Sequence, residues 1–140
     1  MIYEFAYSSW PRLRPVLTLE IESHDRKLGC MAIVDSGADE CVFPLSYALE
    51  LGLDPLKAET GHTSGVGGAS NTYHWDVTLR FQFGAVRLRA GFMESLNTIG
   101  FGLLGQTGFF DYAKVLFDQK NGLFSVEPYG DVQPQGRSRL

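Results

Sequence analysis

The chain is organised around Ala32-Ile33-Val34-Asp35-Ser36-Gly37-Ala38-Asp39. An apolar run from Leu28 to Val34 indicates a buried strand, and the small residues after Asp35 allow the backbone to turn tightly. A carboxyl group that loses solvation at the end of a buried strand favours its protonated form, as a general acid or base requires. The plainer interpretation of an isolated Asp-Ser-Gly is a capped turn, in which the carboxylate bonds the amides that follow it.

The composition indicates an ordinary globular protein of one domain. The chain has 140 residues, of which 44% are hydrophobic and 20% are charged. A net charge of −4 argues against nucleic acid as a partner. No apolar run has the length of a membrane span, and the N-terminus lacks a basic region followed by an apolar core. We therefore expect no membrane association and a cytoplasmic location.

The two cysteines, Cys30 and Cys41, do not form a disulfide framework. In a cytoplasm we expect both to be buried free thiols. Together with His62 and His74 they could be proposed as a zinc set, but no two of them have the spacing of a close ligand pair. A catalytic Cys41 thiol with His74 has no local support either, so we expect structural roles and no metal or organic cofactor.

Alternating apolar and polar residues predict two hairpins. The first joins a strand from Val16 to a second strand over Leu28–Val34. The second joins the clearest strand of the chain, Trp75–Phe83, to Val86–Phe92 through Gly84-Ala85. We expect an arm over residues 1–15, where prolines oppose regular structure, a domain over 16–127 and a flexible tail over 128–140. The sequence does not decide whether the arm lies on its own domain or on a neighbouring subunit.

The remaining elements are shorter. We expect a strand over Cys41–Phe43 and a helix that begins at Pro44 and stops at Gly52. Extended structure should follow over Leu56–Thr60, and the Gly-rich stretch Gly61–Asn71 is too irregular for a packed element. Thr107 should cap a short helix over Phe109–Tyr112. Strands over Val115–Phe117 and Leu123–Val126 should flank an Asn121-Gly122 turn.

Three pieces of sequence stand in a fixed order. An apolar strand enters Asp35-Ser36-Gly37-Ala38-Asp39, a Gly65-Val66-Gly67-Gly68 loop precedes the long hairpin, and Leu103-Leu104-Gly105 precedes the short helix. This combination resembles the retropepsin-like aspartic proteases, the single-domain, retroviral-type family, over about residues 16–127. The resemblance implies an all-β fold, a closed retropepsin-like acid-protease barrel with a flap hairpin and one or two short helices.

The resemblance also implies roles for individual residues. Asp35 would be the catalytic aspartate, Ser36 would bond across a dimer axis to its twin, and Gly37 would leave room for the substrate backbone. Ala38 and Asp39 would complete the supporting loop. Gly65, Val66, Gly67 and Gly68 would form the flap tip, and Leu103, Leu104 and Gly105 would pack beneath the catalytic loop. Retroviral members often carry an arginine after that last glycine, which pairs with the acid at the Asp39 position. This chain has Gln106 there, so the resemblance leaves open whether Asp39 forms an ion pair or instead bonds backbone amides.

A single Asp-Ser-Gly implies that two copies of the chain are needed for a two-aspartate site. The leading hypothesis is therefore a homodimeric aspartic endopeptidase that acts on peptide or protein substrates and shares strands from the arm and from Leu123–Val126. The alternative is a non-catalytic member of the fold that serves as a dimerisation or peptide-binding module.

Overall fold

A computed structural model describes residues 1–9, 13–65 and 68–130 of the chain. The described part is mainly β-structure. Its strands are β1 Tyr3–Ala6, β2 Val16–Ser23, β3 Arg26–Val34, β4 Val42–Pro44, β5 Glu59–Gly65, β6 Gly68–Phe81, β7 Gly84–Met93, β8 Gly102–Leu104, β9 Ala113–Asp118 and β10 Leu123–Pro128. Its helices are α1 Leu45–Glu50 and α2 Phe109–Tyr112, with 3-10 turns at Pro55–Lys57, Glu94–Leu96 and Gln119–Asn121. No helix among the described residues is long and apolar enough to cross a membrane.

Six strands form a closed barrel. They follow the order β2-β3-β8-β4-β7-β6, and a further pairing of β2 with β6 closes the ring. The pairings β3–β8 and β4–β7 are parallel. The largest buried side chains include Phe43, Phe92, Phe109, Ile21 and Leu104. The closed all-β barrel with short helices is thus confirmed.

Both predicted hairpins are present. The β2–β3 pairing runs from Val16 opposite Ile33 to Ser23 opposite Arg26, and the apolar residues of β2 face the core. The β6–β7 pairing runs from Thr72 opposite Met93 to Phe81 opposite Gly84. Alternation predicted these strands because each has one face in the core.

A second sheet has the order β1-β10-β9. The predicted arm therefore contains a strand, with Tyr3 opposite Val126, and it packs on its own chain. The Phe5 and Phe124 rings stack with centroids 5.4 Å apart, and Phe5 also meets Phe83 edge-on. Because β10 is paired on both sides, it has no free edge for a strand from another copy, contrary to the expectation for Leu123–Val126. Trp10, Pro11 and Arg12 lie outside the described residues.

The expectation of irregular structure over Gly61–Asn71 is wrong. β5 and β6 pair through most of this stretch, with Gly61 opposite Thr72 and Gly65 opposite Gly68. Strand pairing uses backbone N–H and C=O groups, so a hairpin arm does not require a buried apolar face. Val66 and Gly67, in the predicted flap tip, lie outside the described residues.

Two local predictions fail at helical turns. Residues 55–57 form a 3-10 turn rather than extended structure, because the Asp54 side chain accepts the Leu56 N–H at 3.0 Å. The cap of α2 is Gly108, with φ of 104°, and not Thr107. The Gly108 N–H donates to Asp111 Oδ2 at 3.2 Å, which closes the first turn of the helix.

The C-terminal hairpin agrees with prediction at its turn, where Gly122 adopts φ of 67°. β10 continues to Pro128, the first residue of the predicted tail. The Tyr129 N–H donates to the Tyr112 carbonyl at 3.0 Å, which fastens the end of β10 to α2. Residues 131–140 of the predicted tail lie outside the described residues.

Candidate active site

The parallel pairing of β3 with β8 positions Asp35 at the end of β3. Ile33 lies opposite Leu103 and Val34 opposite Leu104. The Asp35 N–H continues this ladder by donating to the Leu104 carbonyl at 2.9 Å. The β-branched residues before Asp35 favour the strand, and its parallel partner fixes where the chain leaves it.

The five residues Asp35–Asp39 form a tight turn, here called the Asp35 turn. The Gly37 N–H donates to Asp35 Oδ1 at 2.9 Å, and the Ala38 N–H donates to the Asp35 carbonyl at 3.2 Å. The capped-turn interpretation is therefore correct as local geometry. Asp35 is half-buried, whereas Ser36, Gly37 and Asp39 are exposed in the single chain. Asp35 is thus less buried than the apolar flank predicts, because the turn lies at the surface of the barrel.

The segment after β8 packs behind the Asp35 turn. Leu104 is fully buried and Leu103 half-buried. A Cβ atom at Gly105 would lie 2.6 Å from the Ala38 carbonyl oxygen and still closer to that of Glu40. Glycine at this position therefore allows the two backbone segments to approach each other. The Thr107 N–H donates to the Asp39 carbonyl at 2.9 Å, so Asp39 supports the turn through its backbone.

Gln106 contacts the turn twice. Its N–H donates to the Ala38 carbonyl at 2.8 Å, and its side-chain Nε2 donates to the Ser36 carbonyl at 2.6 Å. The sequence singles out Gln106 only because it stands where an arginine was considered. Its contact with Ser36 was not predicted, because no local pattern shows which carbonyl a glutamine side chain reaches.

Glu40 joins the Asp35 turn to the β5–β6 hairpin. Its Oε1 lies 2.7 Å from His74 Nε2, and both side chains are partly buried. His74 lies on β6 opposite Glu59, at the base of the hairpin. Sequence reasoning considered His74 only as a metal ligand or as the partner of a thiol. Among the described residues, no group of three or more His, Cys, Asp or Glu side chains could hold a metal ion.

Both cysteines are free. Burial raises the pKa of the Cys30 thiol to about 12 and that of the Cys41 thiol to about 11. The Cys41 thiol donates to the Thr107 carbonyl at 3.7 Å. Because the thiolate is the nucleophile, these two protonated thiols suit packing and not catalysis.

Comparison with known proteins gives a consistent family. A family model for aspartyl proteases matches residues 19–107. The crystal structure of a retropepsin-like aspartic protease from Rickettsia conorii superposes with a TM-score of 0.66 at 16% identity, over 91% of this chain and 92% of that one. EIAV protease in complex with the inhibitor HBY-793 gives a TM-score of 0.53 at 21% identity, over 70% of this chain and 86% of that one. No curated protein matches.

At these low identities the two solved structures speak for the fold, which is retropepsin-like. The family model covers more than half of the chain, and its matched residues include the whole Asp35 turn and the segment packed behind it. By that match, this protein belongs to the aspartyl protease family.

Proposed function

We propose that the chain is an aspartic endopeptidase whose catalytic site forms when two copies bring their Asp35 turns together. The observation that supports this proposal best is a half-buried aspartate at the end of a barrel strand, Asp35, followed by exposed Ser36 and Gly37. The turn is held by internal hydrogen bonds, and its outer residues are exposed to solvent. Such a turn is suited to being covered by a second copy of the chain. Each copy supplies one Asp35, so the pair needs a two-fold assembly.

Two carboxyl groups within hydrogen-bonding distance share one proton, because both cannot ionise cheaply together. In the proposed reaction the charged Asp35 takes a proton from water, and the water oxygen adds to the peptide carbonyl carbon. The protonated Asp35 of the other copy gives its proton to the carbonyl oxygen. Collapse of the tetrahedral diol then breaks the C–N bond. The leaving amine takes the proton that the first Asp35 gained from water, and a diol hydroxyl returns a proton to the second Asp35.

The β5–β6 hairpin is the proposed flap. Its strands pair out to Gly65 and Gly68, and the His74–Glu40 contact ties its base to the segment just after the Asp35 turn. A hairpin anchored at its base and glycine-rich at its end is suited to closing over a bound peptide and excluding water. Backbone N–H groups near its tip would donate to the peptide.

The edge of β9 is the proposed contact between copies. Both sides of β10 are taken, so a strand added to this three-stranded sheet must pair with β1 or β9. β9 exposes 66% of Leu116 and 39% of Phe117, which favours it. Antiparallel pairing of two β9 strands about Leu116 would also set Lys114 of each copy opposite Asp118 of the other. Exposed strand edges that carry apolar residues are ready partners for another chain.

The test uses purified full-length protein, a diverse peptide pool and a range from acidic to neutral pH. We expect cleavage by the wild type, loss of at least about a hundredfold in rate for Asp35→Asn, and wild-type rates for the matched control Asp25→Asn in the exposed β2–β3 turn. A folded Asp35→Asn protein that still cleaves at the wild-type rate would contradict the proposal. Peptide binding without cleavage by the wild type would favour the non-catalytic binding module instead.

A further inference from the structure

Ser36 and Gly37 share the peptide unit that touches the Asp35 carboxylate. This unit is planar, and in its trans form the Ser36 C=O and the Gly37 N–H point in opposite directions. The N–H donates to Asp35 Oδ1 at 2.9 Å. On the other side, Gln106 Nε2 donates to the C=O at 2.6 Å. A continuous chain of hydrogen bonds therefore runs from the Gln106 amide, through one rigid peptide, to the carboxylate.

We infer that Gln106 is a positioning residue for Asp35, whose side-chain amide sets the orientation of the Ser36–Gly37 peptide and thereby holds one carboxylate oxygen in place. The catalytic consequence rests on the proposed function. Hydrogen bonds in such a chain polarise one another, so the donor at one end strengthens the N–H contact at the other. A peptide that cannot rotate also holds the carboxylate in one rotamer, which is what proton transfer from a bound water to the carboxylate requires.

The backbone of Gln106 is itself anchored to the same turn. Its N–H donates to the Ala38 carbonyl at 2.8 Å, one residue beyond Gly37. Gly105, directly before it, approaches the Ala38 and Glu40 carbonyls too closely for a side chain. Gln106 is thus the first residue after β8 whose side chain can reach the turn, and its backbone is held in place by the bond to Ala38.

The chemistry of the amide fits this role. A carbonyl acceptor requires a donor, so the NH₂ end of the glutamine must face Ser36. The amide does not titrate, so it donates equally at every pH at which a shared-proton carboxyl pair works. Glutamate at the same position has the same length, but it donates only while it is protonated.

Three variants test the inference in the full-length protein. Gln106→Met keeps the side-chain length and removes the donor, and we expect kcat to fall about tenfold with KM nearly unchanged. Gln106→Glu should lose activity relative to the wild type at the same pH, and this ratio should fall progressively as pH rises through the titration of the new carboxyl group. The matched control Gln82→Glu, which adds the same charge in the exposed β6–β7 turn, should keep the wild-type pH profile.

The Gly37 amide provides a readout that needs no catalysis. In Gln106→Met we expect its NMR resonance to shift and its hydrogen exchange to accelerate about tenfold, because the peptide is held less firmly. In Gln106→Glu the resonance should titrate. An unchanged Gly37 amide in Gln106→Met would overturn the hydrogen-bond chain, and a perturbed amide with wild-type kcat would overturn the positioning role. Should Gln106→Met fail to fold, the Gly37 amide and kcat of Gln106→Glu, each compared at low and neutral pH, test the same two points. A wild type that cleaves nothing would refute the proposed function. The Gly37 amide resonance would still show whether the Gln106 side chain holds the Ser36–Gly37 peptide.

Discussion

His74 Nε2 lies 2.7 Å from Glu40 Oε1, and this contact links β6 of the β5–β6 hairpin to the residue directly after the Asp35 turn. Both side chains are partly buried, so removal of one leaves the other without its partner in a place that water reaches only in part. We expect His74→Gln and Glu40→Gln each to lower the free energy of unfolding by about 1–3 kcal/mol. The double variant should show a coupling of about 1 kcal/mol in urea denaturation at a fixed protein concentration. Additive single effects would mean that the contact does not bind the hairpin to the turn.

Gly105 should not tolerate a side chain. In Gly105→Ala the new Cβ would meet the Ala38 and Glu40 carbonyls, which are backbone atoms that cannot move aside without displacing the Asp35 turn. We expect a loss of about 1–3 kcal/mol in the free energy of unfolding, together with lower activity. Gly29→Ala in β3 is the control, because nothing lies within 4 Å of its added Cβ. Equal melting temperatures for the two variants would contradict the close packing behind the turn.

The proposed carboxyl pair should make activity fall at both high and low pH. The pair works with one shared proton, so activity is lost when that proton dissociates as pH rises and when a second proton binds at low pH. We therefore expect a bell-shaped profile of kcat/KM with its maximum on the acid side of neutral. A profile that still rises above neutral pH would count against two carboxyl groups sharing a proton.

Thiol reagents should not inhibit the protein. Burial raises the pKa of Cys30 to about 12 and that of Cys41 to about 11, so almost no thiolate exists at neutral pH. Iodoacetamide at neutral pH should modify the folded chain slowly and leave peptide cleavage unchanged, whereas the urea-unfolded chain should be alkylated at both cysteines. Rapid alkylation that removes activity would support a thiol enzyme instead.

Assembly should depend on the edge of β9. We expect Leu116→Lys to raise the dimer dissociation constant at least about tenfold, because it places a charge at the centre of the proposed strand pairing. Leu56→Lys is the control, since Leu56 is 94% exposed on a turn before β5. Sedimentation measures the dimer fraction, and specific activity should follow that fraction on dilution. Full activity in a monomer would refute both the interface and the shared site.

The strands that could be predicted from the sequence are those in which apolar and polar side chains alternate. β2, β3, β6 and β7 alternate because each places one face in the core, and the Asp35 turn follows from small residues after an apolar strand. The arms of the β5–β6 hairpin were missed near their tip, because glycine and small polar residues leave no apolar face to read. β1 was missed because its partner, β10, is distant in the sequence.

The supporting contacts of the candidate site were beyond sequence reasoning for a related reason. Gln106 and Ser36 are far apart in the sequence, and so are His74 and Glu40. No single helix or hairpin would bring either pair together. Such pairs meet only because the closed barrel places β6 and the segment after β8 against the Asp35 turn. The sequence could therefore identify Asp35 as the candidate aspartate, but not the residues that hold it.

The pairing of β1 with β10 has a consequence for the order in which the chain folds. Tyr3 meets Val126, so the first strand of the described chain finds its partner only at the last one. Closing so long a loop is entropically slow, and during synthesis β1 must wait until β10 has left the ribosome. The β1-β10-β9 sheet can thus be completed only after β10 has been synthesised, although β9 and β10 are close enough in sequence to pair earlier. In the dimer proposed here, pairing through β9 would therefore follow the synthesis of β10, so incomplete chains would lack a finished surface for assembly.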